Sequence, residues 1–173
     1  MDLSSKIRTV MDFPKPGIGF KDITTLLLDP VALHEAVIRL CEPFRGKGIT
    51  KIAGIESRGF IFGMPMAYEM KLPFIPIRKP GKLPAATVKE SYSLEYGTDS
   101  IEMHSDAVSK GDNILIVDDL LATGGTMSAA VKLINKQSGE VHAAAFVIEL
   151  AFLKGRDKFK GLDVHSLILY DKE

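Results

Sequence analysis

The apolar positions of this chain recur in two periods. Leu33, Ala36, Val37, Leu40, Cys41 and Phe44 lie three or four residues apart or adjacent, so they share one face of a helix over 29–45 that Asp29-Pro30 opens. Met127, Ala130, Val131 and Ile134 repeat that spacing and predict a helix over 124–137. Short apolar runs at 49–55, 72–79, 112–118, 141–150 and 163–170 read as strands. Pro73 and Pro76 give the 72–79 strand an edge or strand-end character. Residues 57–70 read as a loop running into a helix, and Pro65 implies that this helix starts late or is kinked. Strands alternating with helices predict an α/β fold, a mainly parallel sheet flanked by helices.

Two stretches break the alternation. Residues 79–100 have weak periodicity and many polar groups. Loops of that length in a compact domain usually serve function, and this one reads as a flexible flap over a site. Residues 13–22 are turn-rich and read as part of a small N-terminal hood. One domain is expected over 1–173, with the hood at about 1–30 and the flap at about 79–100.

Composition narrows the function classes. A chain of 173 residues, 46% hydrophobic and 25% charged, suits a single globular domain. No apolar run reaches membrane-spanning length and the N-terminus lacks a signal-peptide core, so a cytoplasmic location and no membrane partner are expected. Lys plus Arg balances Asp plus Glu at 22 each, so net charge does not favour nucleic acid. Cys41 is the one cysteine, which excludes an intrachain disulfide and a multi-thiolate metal site. His34, His104, His142 and His165 show no ligand spacing and read as structural or surface residues.

The chemistry concentrates in "ILIVDDLLATGGTMSAA", residues 114–130. Ligands of parallel sheets collect at the carboxyl ends of the strands, and Asp118 and Asp119 stand at such an end. Ala122, Thr123, Gly124, Gly125 and Thr126 then lead into a helix start, where free amides and the helix dipole favour an anion. The loop suits a phosphate. The carboxylates suit vicinal hydroxyls or Mg²⁺. A phosphorylated sugar satisfies both. The nucleoside-triphosphate loop is absent because Thr126 and Met127 follow Gly125 where Lys would be needed, and no dinucleotide Gly-x-Gly-x-x-Gly is present.

"ILIVDDLLATGGT" resembles the phosphoribosyl-pyrophosphate (PRPP) motif of the type I phosphoribosyltransferases. "FPKPGIGFKDIT", "GIESRGFIFG", "PIRKPGKLP" and "YSLEYGTDSIEMH" resemble, in order, the landmarks of the adenine-specific branch of that family. The resemblance implies a Rossmann-like fold and transfer of phosphoribosyl from PRPP to adenine, giving AMP and pyrophosphate in purine salvage. It implies Mg²⁺ held mainly by substrate oxygens and water, with no protein metal cage, and a homodimer.

It also implies roles. Residues 122–126 would hold the sugar phosphate, and Asp118 and Asp119 the ribose hydroxyls. Ser57, Arg58, Gly59, Arg78, Lys79, Lys82 and Tyr96 would meet the pyrophosphate, with a cis peptide between Glu56 and Ser57. Glu95 would be catalytic, exchanging a proton with adenine N7. Gly19, Phe20, Arg58 and Leu120 would bound the base. Two positions depart from common family usage: Gly19 replaces a larger aliphatic residue, and Lys21 replaces Arg. The rival readings are the same fold acting on hypoxanthine or guanine, and a non-catalytic PRPP or nucleotide sensor.

Overall fold

The computed structural model describes residues 1–93 and 97–172. The chain opens with an antiparallel ribbon, β1 (Arg8–Val10) against β2 (Phe20–Asp22), and one helical turn, α1 (Thr24–Leu27). α2 (Pro30–Cys41) follows. Asp29 caps it, accepting from the amides of Val31 and Ala32 at 3.0 and 3.1 Å. The predicted helix ends at Cys41 and tightens into a 3-10 turn over Glu42–Phe44, where Pro43 has no amide to continue the ladder.

β3 (Lys51–Ile55) leads into α3 (Arg58–Met70). This helix does not start late. It begins three residues after the strand and runs through Pro65. Proline inside a helix costs about 3 kcal/mol. Burial of Phe62, Met66 and Ala67 on one face offsets that, at about 1.5–3 kcal/mol for each large side chain.

β4 (Phe74–Ile77) is an edge strand, in line with its two prolines. The next stretch is not one loop. β5 (Thr87–Ser93) and β6 (Thr98–His104) form an antiparallel pair, from Thr87 opposite His104 to Ser93 opposite Thr98. Val88 and Tyr92 pack inward with buried Ile101 and Met103, while Lys89, Ser91 and Ser93 are exposed. So many polar residues at the outward positions mask the period-two signal.

β7 (Asn113–Leu121), α4 (Gly125–Lys136), β8 (Glu140–Leu150) and β9 (Asp163–Tyr170) complete the chain. β7 outruns its predicted end at 118, because Leu120 and Leu121 still pair with Ile148 and Glu149. Asp118 and Asp119 therefore lie within the last turns of its ladder.

The five-stranded sheet has the order β4-β3-β7-β8-β9, all parallel. Alternation along β7 sends Leu115 and Val117 to the side of α2 and α3, and Ile114 and Ile116 to the side of α4 and the hairpin. The chain steps outward from β3 to β4, then returns to β7 and steps outward the other way. Strand order thus reverses between β3 and β7, and a crevice opens at their carboxyl ends.

Candidate active site

Gly54 of β3 lies opposite Val117 of β7, so the residues that follow each meet at the crevice. Arg58 Nε forms an ion pair with Asp119 Oδ2 at 2.6 Å; the carboxylate is 5% exposed and the arginine side chain 44%. Gly59 permits this closeness. A Cβ there would sit 2.7 Å from the Val117 carbonyl oxygen and 3.1 Å from Asp118 Oδ1. The Glu56–Ser57 peptide is cis.

A cavity of about 430 Å³ fills the crevice. It gathers Ser57 and Arg58 from the start of α3, Arg78 and Lys79 from beyond β4, Asp118, Asp119 and Leu120 from β7, and Ala122 and Thr126. An adjoining cavity of about 100 Å³ is lined by the whole run Ala122, Thr123, Gly124, Gly125 and Thr126. Gly124 sits at φ +78°, a turn that favours glycine. No side chain caps α4, so its first amides lack a side-chain acceptor. The hairpin borders this loop: a Cβ on Gly125 would lie 3.7 Å from Tyr92 Cδ2.

Charge is distributed unevenly. Burial, then the negative charge of Asp119, pushes the Asp118 carboxyl well above the usual range. The Asp119 amide, donating to Asp118 Oδ1 at 2.9 Å, opposes that rise. Arg78 forks onto Glu56, with Nε at 3.2 Å from Oε2 and Nη2 at 2.8 Å from Oε1. That guanidinium holds the Glu56 carboxyl below its ordinary value. Lys79 pairs with Asp99 and meets the Tyr92 hydroxyl at 3.3 Å.

Three of the expected residues are placed differently from the rest. Gly59 packs behind Asp118 and does not line the cavity. Lys82 is exposed and contributes its carbonyl, which accepts from Arg78 Nη1 at 3.2 Å. Gly19 immediately precedes β2, where a Cβ would make ordinary contacts with Thr9 and Met11. Phe20 does approach the site: the Arg58 guanidinium carbon lies 5.8 Å from its ring centroid. Lys21 turns elsewhere, donating to Thr9 Oγ1 at 3.2 Å and lying 4.4 Å from the centre of the Tyr170 ring. Glu95 and Tyr96 lie outside the described residues. Glu56, Tyr92 and Asp99 were missed. Glu56 stood in plain view in "ESRG", but nothing in its spacing pairs it with Arg78, and Asp99 reaches Lys79 only through hairpin pairing.

Asp118 and Asp119 offer hard oxygen donors in the crevice beside loop 122–126, and among the described residues no three His, Cys, Asp or Glu side chains gather as metal ligands. That donor set fits Mg²⁺ shared with a substrate, since Mg²⁺ commonly takes one or two carboxylates and keeps phosphate and water for the rest. No described helix is long and apolar enough to cross a membrane.

A sequence model of the phosphoribosyl transferase domain matches residues 32–164. An adenine phosphoribosyltransferase of Clostridium perfringens is 55% identical over 99% of both chains. The crystal structure of adenine phosphoribosyltransferase from Thermoanaerobacter pseudethanolicus superposes with a TM-score of 0.95 at 49% identity, covering 98% of each chain. That of the Saccharomyces cerevisiae enzyme, complexed with adenine and an imino-altritol bisphosphate, gives 0.90 at 37% identity over 96% of each. With the crevice, the glycine-containing loop 122–126 and full-length likeness in agreement, the chain belongs to the phosphoribosyl transferase domain family, among its adenine phosphoribosyltransferases.

Proposed function

We propose that this chain transfers phosphoribosyl from PRPP to adenine, forming AMP and pyrophosphate in purine salvage, with the site residues acting as follows. The observation that carries the reading is the joining of Arg58 to Asp119 beside the uncapped loop 122–126, where a sugar phosphate and a pyrophosphate can lie end to end.

Loop 122–126 holds the 5-phosphate on its amides and threonine hydroxyls. Asp118 and Asp119 accept hydrogen bonds from the ribose hydroxyls. Ser57, Arg58, Arg78 and Lys79 meet the pyrophosphate, the last two by exchanging Glu56 and Asp99 for phosphate oxygens. Asp118 or Asp119 would help to hold a Mg²⁺ bound mainly by substrate oxygens and water, and that ion would supply positive charge to the leaving pyrophosphate. Phe20, Arg58 and Leu120 bound the adenine, with the backbone near Gly19, and Glu95 manages the proton at N7. As the base nitrogen bonds to C1, the C1–O bond breaks and its electron pair leaves with pyrophosphate. The intervening sugar is cation-like, so water must be kept out.

The chain acts as a homodimer in the cytoplasm. Ile61, Met64 and Tyr68, at helical spacing on α3, are exposed apolar residues that suit a subunit contact.

The test is AMP formation from adenine, PRPP and Mg²⁺, compared with Glu95→Gln. The reading expects turnover in the parent, abolished by chelating the metal, and kcat reduced about 10²-fold or more in the variant. An unchanged variant would remove Glu95 from catalysis.

A further inference from the structure

The segment after β8 touches the phosphate loop more closely than any side chain would allow. A Cβ on Gly155 would fall 2.3 Å from the Ala122 carbonyl oxygen, and one on Gly124 would fall 2.8 Å from both the Gly155 carbonyl oxygen and Phe159 Cζ. Backbone therefore lies directly on backbone, and the loop takes its position from a 3-10 turn over Gly155–Phe159.

Something must hold that turn, because short 3-10 pieces are weakly self-supporting. The holder is Arg156. Its Nε and Nη2 fork onto the two oxygens of Glu149 at 2.5 and 2.6 Å, and its Nη1 donates to the Val164 carbonyl at 2.8 Å. Glu149 is 3% exposed at the end of β8, and the Ser166 hydroxyl of β9 donates to it at 2.6 Å. Leu121, the last residue of β7 before the loop, pairs with that same Glu149. The carboxylate thus ties the end of β8 and the Ser166 hydroxyl of β9 to the turn that backs the loop, beside the end of β7.

We infer that Arg156, fixed by Glu149, is a positioning residue for the 5-phosphate site: it sets where the amides of residues 122–126 stand without touching substrate. The inference rests on the reading of that loop as the phosphate site. A bidentate fork fixes orientation as well as distance, which a point charge does not. Small displacements of a binding group are expensive in rate and affinity.

The experiment measures the KM for PRPP and adenine, and the inhibition constants of ribose 5-phosphate and inorganic pyrophosphate. It uses the parent, Arg156→Ala, Arg156→Lys and Thr126→Asp. Arg156→Ala is expected to raise the PRPP KM and the ribose 5-phosphate constant about ten-fold while leaving the pyrophosphate constant unchanged. Arg156→Lys should recover part of the loss. Folded Arg156→Ala enzyme with parental PRPP KM overturns the inference, as does equal weakening of ribose 5-phosphate and pyrophosphate, which would mean general loosening. If Arg156→Ala does not fold, Arg156→Lys decides alone: a selective rise of about three-fold in the same two constants supports the inference, and parental values overturn it. Thr126→Asp puts a negative charge into the loop at a helix start that tolerates one. If it abolishes ribose 5-phosphate binding while the Arg156 variants stay parental, only the positioning role fails. If it leaves binding intact, the loop assignment itself fails.

Discussion

Arg58 Nε lies 2.6 Å from Asp119 Oδ2, joining the helix start after β3 to the acidic end of β7. The two residues are sixty-one positions apart in sequence and adjacent only because β3 and β7 are neighbours in the sheet. Asp119→Asn keeps the shape, removes the charge that orients Arg58, and relieves the repulsion on Asp118. We expect kcat/KM for PRPP to fall about 10²-fold. Stability should change by about 1 kcal/mol or less, because half-exposed Arg58 can be resolvated. Steady-state kinetics beside urea melts separate the two effects.

Arg78→Lys should act on one substrate and spare the other. The planar fork onto Glu56 becomes a single point donor. The KM for PRPP should rise about ten-fold, and the KM for adenine should stay where it was. A matching rise in both would mean that Arg78 supports the whole crevice.

Two glycines give opposite expectations. At Gly19 a Cβ would meet Thr9 Cγ2 at 3.5 Å and Met11 Sδ at 3.6 Å, which are ordinary contacts. Gly19→Ala should therefore change stability by under about 0.5 kcal/mol and leave the adenine KM unaltered. At Gly59 the Cβ would stand 2.7 Å from a β7 carbonyl oxygen, and neither backbone can retreat cheaply. Gly59→Ala should cost about 1–3 kcal/mol and much of the activity. Thermal melts with both assays distinguish them.

The ribbon of β1 and β2 has an acid-sensitive joint. Hydrogen bonds from Arg8, then from Thr24, lower the Asp22 carboxyl from 3.8 to about 2. The folded chain therefore binds fewer protons here than the unfolded chain. The contribution is present above about pH 4 and is lost as pH falls toward about 2. Asp22→Asn should flatten that part of the stability profile, read as urea midpoints at a series of acid pH values. An unaltered profile would show that Arg8 and Asp22 separate in solution.

Much of this was readable from the residues, for physical reasons that differ by element. Buried parallel strands such as β7 and β8 carry long apolar runs, and the acids at the end of β7 stand out against them. The hairpin did not stand out, since Lys89, Ser91 and Ser93 face water and dilute a pattern held by only a few inward residues. Pro65 did not delay the start of α3, because burial of Phe62 and Met66 offsets the missing bond. In the site, residues of the crevice such as Arg58, Arg78, Lys79, Asp118 and Asp119 could be named from the sequence, and the counterions of Arg78 and Lys79 could not. Glu56 on Arg78, Asp99 on Lys79 and Glu149 on Arg156 are all set by tertiary placement. The same holds for Gly155, whose need to be glycine appears only once Ala122 is seen against it.

The most direct measurement is pyrophosphate release from PRPP and Mg²⁺ with adenine, hypoxanthine and guanine offered separately. The account predicts release with adenine alone. Release with hypoxanthine or guanine would keep the fold and the phosphate loop and contradict the base site built from Phe20, Arg58 and Leu120; tight PRPP binding without release from any base would contradict catalysis itself.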